Sequence, residues 1–496
     1  MNENRREFLI KTGCTLTMTA LATQMRHLGL VSAFAQKADQ EKESETAPSD
    51  YRALVCVFMA GGNDGNNTVM PNHSNATISN YDAYAAARNP QGLSIPQASL
   101  LPIAVPRMSG LTYGLHPALG PQTPGTNIVN NGIHELWAMG KMAVVANVGT
   151  LVKPTTRAQW QTAGWPKPFQ LFSHSDQVSQ YQGGRSDIES FTGWGGRLSD
   201  LRTPPDNPSG LIPMITSIAG AQLFTAGQTT LPLAIGTGAL ASVLNPASPN
   251  TTGSAVRTAF NNLRTVDLNN DLLVAANHVT DSAMAANSVF QTNPYDPAGF
   301  PNTSIGNQLR QVARVIKKRS DLSINRQVFF VQIGGFDTHN GQVTTQSNLL
   351  IQLSQAMRAF YAEMVTQGLE DKVTQFTMAD FSRTLNPAGT GAGIVGTDHA
   401  WGNHLFVVGG GITAADFYGM NGANGTPFPH LAFNTGDDAD SGSTARGRWI
   451  PATSVEQYAA TLARWFGVPD ANMAAVFPNI ANFTTTNLGF MQPPAA

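Results

Sequence analysis

Val328-Phe329-Phe330-Val331-Gln332-Ile333-Gly334-Gly335-Phe336-Asp337-Thr338-His339 changes character at its midpoint. The first half is a short, continuous run of β-branched and aromatic residues, the composition of a strand buried on both faces. The second half opens on two glycines and closes on an acid and an imidazole. In an open α/β sheet, ligands bind beyond the carboxyl ends of the strands. An apolar run, a glycine turn and then an acid therefore predicts a fold and a site together.

The same order recurs along the chain. Ala53–Met59, Met142–Val148, Leu211–Ile218, Val373–Met378 and Leu405–Val408 are further apolar runs with strand character. Between them lie helical stretches: Gly132–Gly140, and Ser347–Gln367 with Leu350, Leu353, Met357, Phe360, Tyr361 and Met364 at three- and four-residue spacing. Val455–Phe466 places Tyr458, Leu462 and Phe466 on one helical face. The alternation predicts an α/β fold with a mainly parallel central sheet. Asn72–Pro106 and Asn434–Arg448, rich in Asn, Ser, Gly and Pro, carry no sustained period and read as surface loops or lids. No boundary interrupts the chain between about Tyr51 and Phe483, so 51–496 is expected to be one catalytic domain.

Residues 1–35 read as a targeting segment. Arg5-Arg6-Glu7-Phe8-Leu9 with Lys11 is a twin-arginine pattern, followed by a mildly apolar stretch from Cys14 to Met25 and an A-x-A site at Ala33-Phe34-Ala35. The apolar stretch is shorter than the roughly 20 residues a membrane span needs, so no stable membrane anchor is expected. Residues 36–50 are polar and read as a disordered linker. The expected destination is the periplasm or the outside of the cell, with the twin-arginine translocase as a transient partner. Cleavage would leave Cys56 as the one cysteine, which excludes an internal disulfide and a cysteine-rich zinc site.

Of the 496 residues 42% are hydrophobic and 12% charged, and the formal net charge is −2. A core is available, and no basic field exists to hold nucleic acid.

Chemistry-bearing residues gather at the strand ends. Ala60-Gly61-Gly62-Asn63-Asp64-Gly65 follows the first run, and Ala379-Asp380-Phe381-Ser382-Arg383 follows Val373–Met378. Thr397-Asp398-His399-Ala400-Trp401-Gly402-Asn403-His404 leads into Leu405–Val408. Singly, each is an ordinary turn or a hydrogen-bonded histidine. Together, mixed carboxylates and imidazoles are what a hydrolytic metal site requires. His73, His116 and His134 lack acidic companions and read as structural. Asp437, Asp438 and Asp440 read as a solvated loop, with calcium binding as the alternative.

In this order and spacing the motifs resemble the DUF1501 family of exported bacterial proteins, related to the alkaline phosphatase and sulfatase superfamily. The matching signals are Gly61-Gly62-Asn63-Asp64-Gly65, Ser173-His174, Gly335-Phe336-Asp337-Thr338-His339, and Gly396-Thr397-Asp398-His399 running into His404. The resemblance implies an alkaline phosphatase-like three-layer sandwich and a two-metal site. It implies Asp64 as a bridging carboxylate, Asp337 and His339 as a ligand pair, Asp398 and His399 as an adjacent pair, and His404 as a later ligand. Asp380 competes with Asp398 for one ligand position, and either or both are open. Ser173, with Ser175 as second choice, sits where the superfamily's nucleophile stands; a helix cap explains the segment equally well. Arg383 either holds a phosphate or sulfate oxygen or supports Asp380, the latter being favoured. Trp401 and Phe336 are expected to wall the pocket, with Thr68 and Asn67 assisting near Asp64. A pair of divalent cations is expected, Zn, Mn or Fe for mixed ligands and Ca if carboxylates dominate.

The leading expectation is thus hydrolysis of a phosphate or sulfate ester, small or polymeric, by a two-metal site with a serine nucleophile. One alternative is a serine-dependent carboxylic ester hydrolase, although no G-x-S-x-G elbow is present. The other is a non-catalytic, metal-stabilised surface or matrix-binding protein.

Overall fold

The computed structural model describes residues 50–122, 131–238, 284–387 and 395–493, with isolated positions between 255 and 281. The N-terminal 49 residues, and with them the expected targeting segment and nearly all of the expected linker, lie outside that set. Asp50, the linker's last expected residue, is already clamped by ion pairs to Arg52 and Arg326.

The strands, in chain order, are β1 (Arg52–Met59), β2 (Val69–Pro71), β3 (Leu101–Val105), β4 (Leu111–Leu115), β5 (Met142–Gly149), β6 (Ile215–Ser217), β7 (Leu233–Ala234), β8 (Arg326–Ile333), β9 (Val373–Ala379), β10 (Asn403–Gly409), β11 (Phe417–Tyr418) and β12 (Thr453–Ser454). Nine of them form one sheet in the order β11-β5-β10-β9-β1-β8-β6-β7, with β12 also paired to β5. β2, β4 and β3 form a separate antiparallel sheet. In the large sheet β10 alone runs against its neighbours β5 and β9; every other pairing is parallel. The reversal follows from the connection. A parallel neighbour needs a crossover, usually helical, and the described residues between β9 and β10 contain no helix.

β1 lies at the centre of the sheet and is buried along its whole length. Alternation along β9 assigns the two faces. Phe376 packs against Trp194 and Tyr458, from the helices Trp194–Asp206 and Val455–Phe466. The neighbouring Gln375 donates to the Met357 carbonyl of the helix Gln342–Thr366 on the opposite face. That long helix packs on the amphipathic helix Ser304–Lys317. The result is a large, mostly parallel sheet with helices on both sides, a main apolar core from Tyr51 to Met491 and a second, smaller cluster of Leu151, Trp401, Ile450 and Phe483. Cys56 is buried in that core, which pushes its thiol well above the usual range and leaves it inert. No helix among the described residues is long and apolar enough to cross a membrane.

Several elements differ from the sequence reading. Leu211–Ile218 narrows to Ile215–Ser217, because Pro213 cannot donate to a ladder. Gly132–Gly140 shrinks to the single turn Glu135–Ala138, closed by Gly140 at φ +69°. Asn72–Pro106, expected as loop, contains β3 and the helix Tyr81–Arg88, capped by Asn80 accepting from the Ala83 amide. Eight residues are too few to display a helical period, yet this helix carries Arg88 into the interior.

Candidate metal centre

Three loops meet above the carboxyl ends of β1, β8 and β9. The loop after β1 passes so close to that after β8 that a Cβ on Gly61, at φ +111°, would lie 2.4 Å from the Asp337 amide. Only glycine fits there. The Phe336 amide donates to the Ala60 carbonyl and the Gly61 amide to Asp380 Oδ1, tying the three loops together. A fourth segment arrives from elsewhere: His174 begins the helix His174–Gly183.

Four nitrogens surround one oxygen. Asp337 Oδ1 stands 3.1 Å from His339 Nε2, 3.4 Å from His399 Nε2, 3.5 Å from His174 Nε2 and 2.7 Å from Arg383 Nη1. His339 Nε2 and His399 Nε2 are 3.0 Å apart. Ligand atoms held at 2.0–2.2 Å by one tetrahedral cation stand about 3.3 Å from each other. His174, Asp337 and His399, whose ligand atoms all lie within 4.8 Å of one another, could share a cation, with His339 as a further donor beside His399 and Asp337. His174 Nε2 gives a second, independent sign: it is buried and has no hydrogen-bond partner. A buried nitrogen left without a partner is costly, and a cation in this position would satisfy it.

The outer faces of the rings fix their tautomers. His174 Nδ1 lies 2.7 Å from Asp380 Oδ2, and His399 Nδ1 lies 2.8 Å from the Phe172 carbonyl. Each Nδ1 therefore carries the proton, and each Nε2 turns a lone pair to the centre, as metal-binding histidines usually do. His339 Nδ1 is 3.5 Å from Asp398 Oδ1, and Asp398 is held by Arg446. Phe381 lies beneath, its ring 4.7 Å from those of both His174 and His399.

Electrostatics divide the rings. The Asp380 hydrogen bond raises the His174 pKa, partly opposed by burial, with the Asp380 and Asp337 charges adding to the rise. Burial lowers that of His399. Burial also works to raise Asp337, but the Arg383 hydrogen bond and charge, helped by His339 and His174, bring its carboxyl below the usual range. Asp337 is thus an anion at neutral pH. Because Asp380 acts through His174, Asp380→Asn is expected to weaken divalent-cation affinity about 10–100-fold, read by competition with a chromogenic chelator. Unchanged affinity would remove Asp380 from this role.

Of the residues read from sequence, Asp337, His339 and His399 are brought together. Others are placed elsewhere. Asp64 is buried beneath the loops and spent: Arg88 reaches both its oxygens, Gln342 donates to Oδ2 and the Asn66 amide to Oδ1. Asn67 joins the same buried network by accepting from Tyr84 and Arg88, and Thr68 bonds Asn63 and the Asp64 carbonyl. His404 is fully buried, stacks on Phe428 at 4.8 Å, and accepts from the Asn147 amide; burial depresses its pKa to about 3. Neither Asp380 nor Asp398 enters the cluster, so both sit behind a histidine instead. Arg383 pairs with Asp337 rather than Asp380, and its remaining donors go to the Thr397 carbonyl and hydroxyl and the Gly61 carbonyl. Ser173 and Ser175 both turn to Asp176, away from the cluster. Their segment contributes the histidine between them. Trp401 and Phe336 are each only 1% exposed and wall no open pocket. Asp437 and Asp438 accept backbone amides, and Asp440 is paired to Arg448, so that loop satisfies itself.

Sequence reasoning missed His174, Arg88 and Arg446. His174 carries a signal in the Ser173-His174 pair, where a helix start points first to the hydroxyl. Arg88 and Arg446 carried none, since each works through a carboxylate far away in the chain.

A family model described as "Protein of unknown function (DUF1501)" matches residues 51–428. The chain belongs to the DUF1501 family. The match spans the three strand-end loops, His174 and Arg88, so the centre of this DUF1501 protein lies within the family region; Arg446 lies beyond it. No curated protein matches the chain. Among solved structures, one similar chain is the PsFucS1 sulfatase from Pseudoalteromonas sp., at 10% identity and a TM-score of 0.23, over 79% of this chain and 68% of that one.

Proposed function

We propose that this protein is an exported, metal-dependent hydrolase of phosphate or sulfate esters, built on an alkaline phosphatase-like layered fold. One observation carries the reading: the Nε2 atoms of His174, His339 and His399 converge on Asp337 Oδ1. Three imidazoles and one carboxylate suit Zn, Mn or Fe, whereas Ca takes oxygen ligands. One cation is proposed in place of the expected pair, because Asp64, Asp380 and His404 are each engaged by protein partners. When bound, the cation would polarise the ester oxygen. The chain's own residues hold and orient it: Asp380 fixes His174, the Phe172 carbonyl fixes His399, Arg383 steadies Asp337, and Phe381 closes the floor.

The geometry supports water as the nucleophile rather than Ser173 or Ser175, whose hydroxyls are bound to Asp176. The same contacts weigh against a serine-dependent carboxylic ester hydrolase, since no described histidine hydrogen-bonds Ser173. Export through the twin-arginine translocase into the periplasm or beyond would deliver the protein already folded. The substrate of this reading is a small or polymeric ester.

Two measurements test the reading together. Excess chelator is expected to abolish turnover of nitrophenyl phosphate or sulfate, and readdition of Zn or Mn to restore it. Ser173→Ala is expected to keep its rate within about threefold of the parent, the span of roughly 0.65 kcal/mol in barrier height. Turnover that survives chelation and vanishes in Ser173→Ala would establish the serine mechanism instead. Metal-replete protein inert toward both esters would favour a surface-binding role.

A further inference from the structure

We infer that Arg446 recognises a negatively charged group of the substrate at the rim of the centre, an assignment that rests on the metal-hydrolase reading above. Several arginines stand on or near the centre, and their donors separate them. Arg88 is fully buried on Asp64, Asn67 and the Thr384 and Leu385 carbonyls. Arg383 has a fully buried side chain, and each of its nitrogens already has a partner. Arg448 gives Nε to the His399 carbonyl and Nη1 to both oxygens of Asp440, and lies over the Phe172 ring. Arg446 differs. Its side chain is 36% exposed, Nη1 reaches Asp398, and neither Nε nor Nη2 has a partner among the described residues.

Its backbone is nonetheless fixed. The Arg446 amide donates to Asp440 Oδ2 and its carbonyl accepts from the Asn386 amide. A side chain anchored at the base, with free planar donors at the tip, is suited to hold an oxyanion through two parallel hydrogen bonds. Asp398, which it touches, faces His339 at 3.5 Å, so the free donors stand one carboxylate and one imidazole from the centre. The anion such donors would recognise is the phosphate or sulfate group of the ester itself. The substrate class this favours is an anionic ester, phosphate or sulfate, over a neutral one.

The test uses exported, metal-loaded protein and its Arg446→Gln and Arg446→Lys variants. Inorganic phosphate and sulfate are titrated separately by calorimetry, with elemental analysis of each sample and KM and kcat on nitrophenyl phosphate and sulfate. The expected result is unchanged metal content and oxyanion affinity at least about tenfold weaker in Arg446→Gln. Arg446→Lys should recover part of it, and KM should rise more than kcat falls. Oxyanion affinity equal to the parent's overturns the inference while leaving the metal reading intact. Loss of metal from Arg446→Gln also overturns it, because Arg446 would then serve only to position Asp398 and His339. Parent protein that binds neither metal nor oxyanion overturns both.

Discussion

His174→Ala is expected to leave purified protein with little bound divalent cation and to depress ester hydrolysis by more than the roughly 10–100-fold typical of an orienting partner. The reason lies in what the ring does on both sides. Its Nδ1 is committed to Asp380, and its Nε2 is buried without a partner beside Asp337. Truncation removes one donor from the cluster and also leaves the nearly buried Asp380 without its histidine, although the Gly61 amide still donates to it. Elemental analysis reads the first loss and steady-state rates the second. Parental metal content in His174→Ala, with the fold intact by circular dichroism, would exclude this ring from the site. Ser175→Ala, one position along the same helix, is the control that should change neither.

Arg88→Ala carries the largest expected effect on stability. The side chains of Arg88 and Asp64 are fully buried, and they pair at 2.5 Å. Breaking a buried ion pair from one side costs about 3–5 kcal/mol, because an unpaired charge is left in a low dielectric. The Thr384 and Leu385 carbonyls and the Asn67 side chain lose their donor in the same step. Denaturant unfolding should show that loss in Arg88→Ala, and a markedly smaller one in Arg88→Met combined with Asp64→Leu, where no charge remains. Equal losses in the single and double variants would mean that packing, rather than charge, sets the cost. The pair also bears on function: it occupies the carboxylate that the resemblance implies as a bridge between two cations.

The contrast between Asp337 and Asp64 shows what the sequence could reveal. Both follow a buried parallel strand and a glycine turn, and β1 and β8 lie side by side in the sheet. Apolar continuity located those strands, because a strand covered by helices on both faces is apolar over most of its length. It could not separate the two acids. What separates them is Arg88, placed by a short helix within a stretch whose composition reads as loop, and whose partner is 24 positions away. His404 and His399 divide in the same manner. They sit five residues apart, but His404 is inside β10 against Phe428, while His399 precedes the strand and faces the centre. Strand direction was equally hidden, since an apolar run has no polarity; β10 runs backwards because of its connection.

His174 was within reach of a different reading of the same motif. A helix start invites attention to its hydroxyl as cap or nucleophile, and here the residue inside the first turn is the one that turns toward Asp337. Ser173 stands at the cap position but makes no capping bond to the backbone.

Central to the account is a single cation held by His174, His339, His399 and Asp337. Crystals of natively exported protein, measured above and below the Zn, Mn and Fe absorption edges, test it directly. The account predicts one anomalous peak about 2.0–2.2 Å from the three Nε2 atoms and Asp337 Oδ1, with one metal per chain by elemental analysis. A peak at Asp64 or His404, or metal-free protein that still hydrolyses esters, would contradict it.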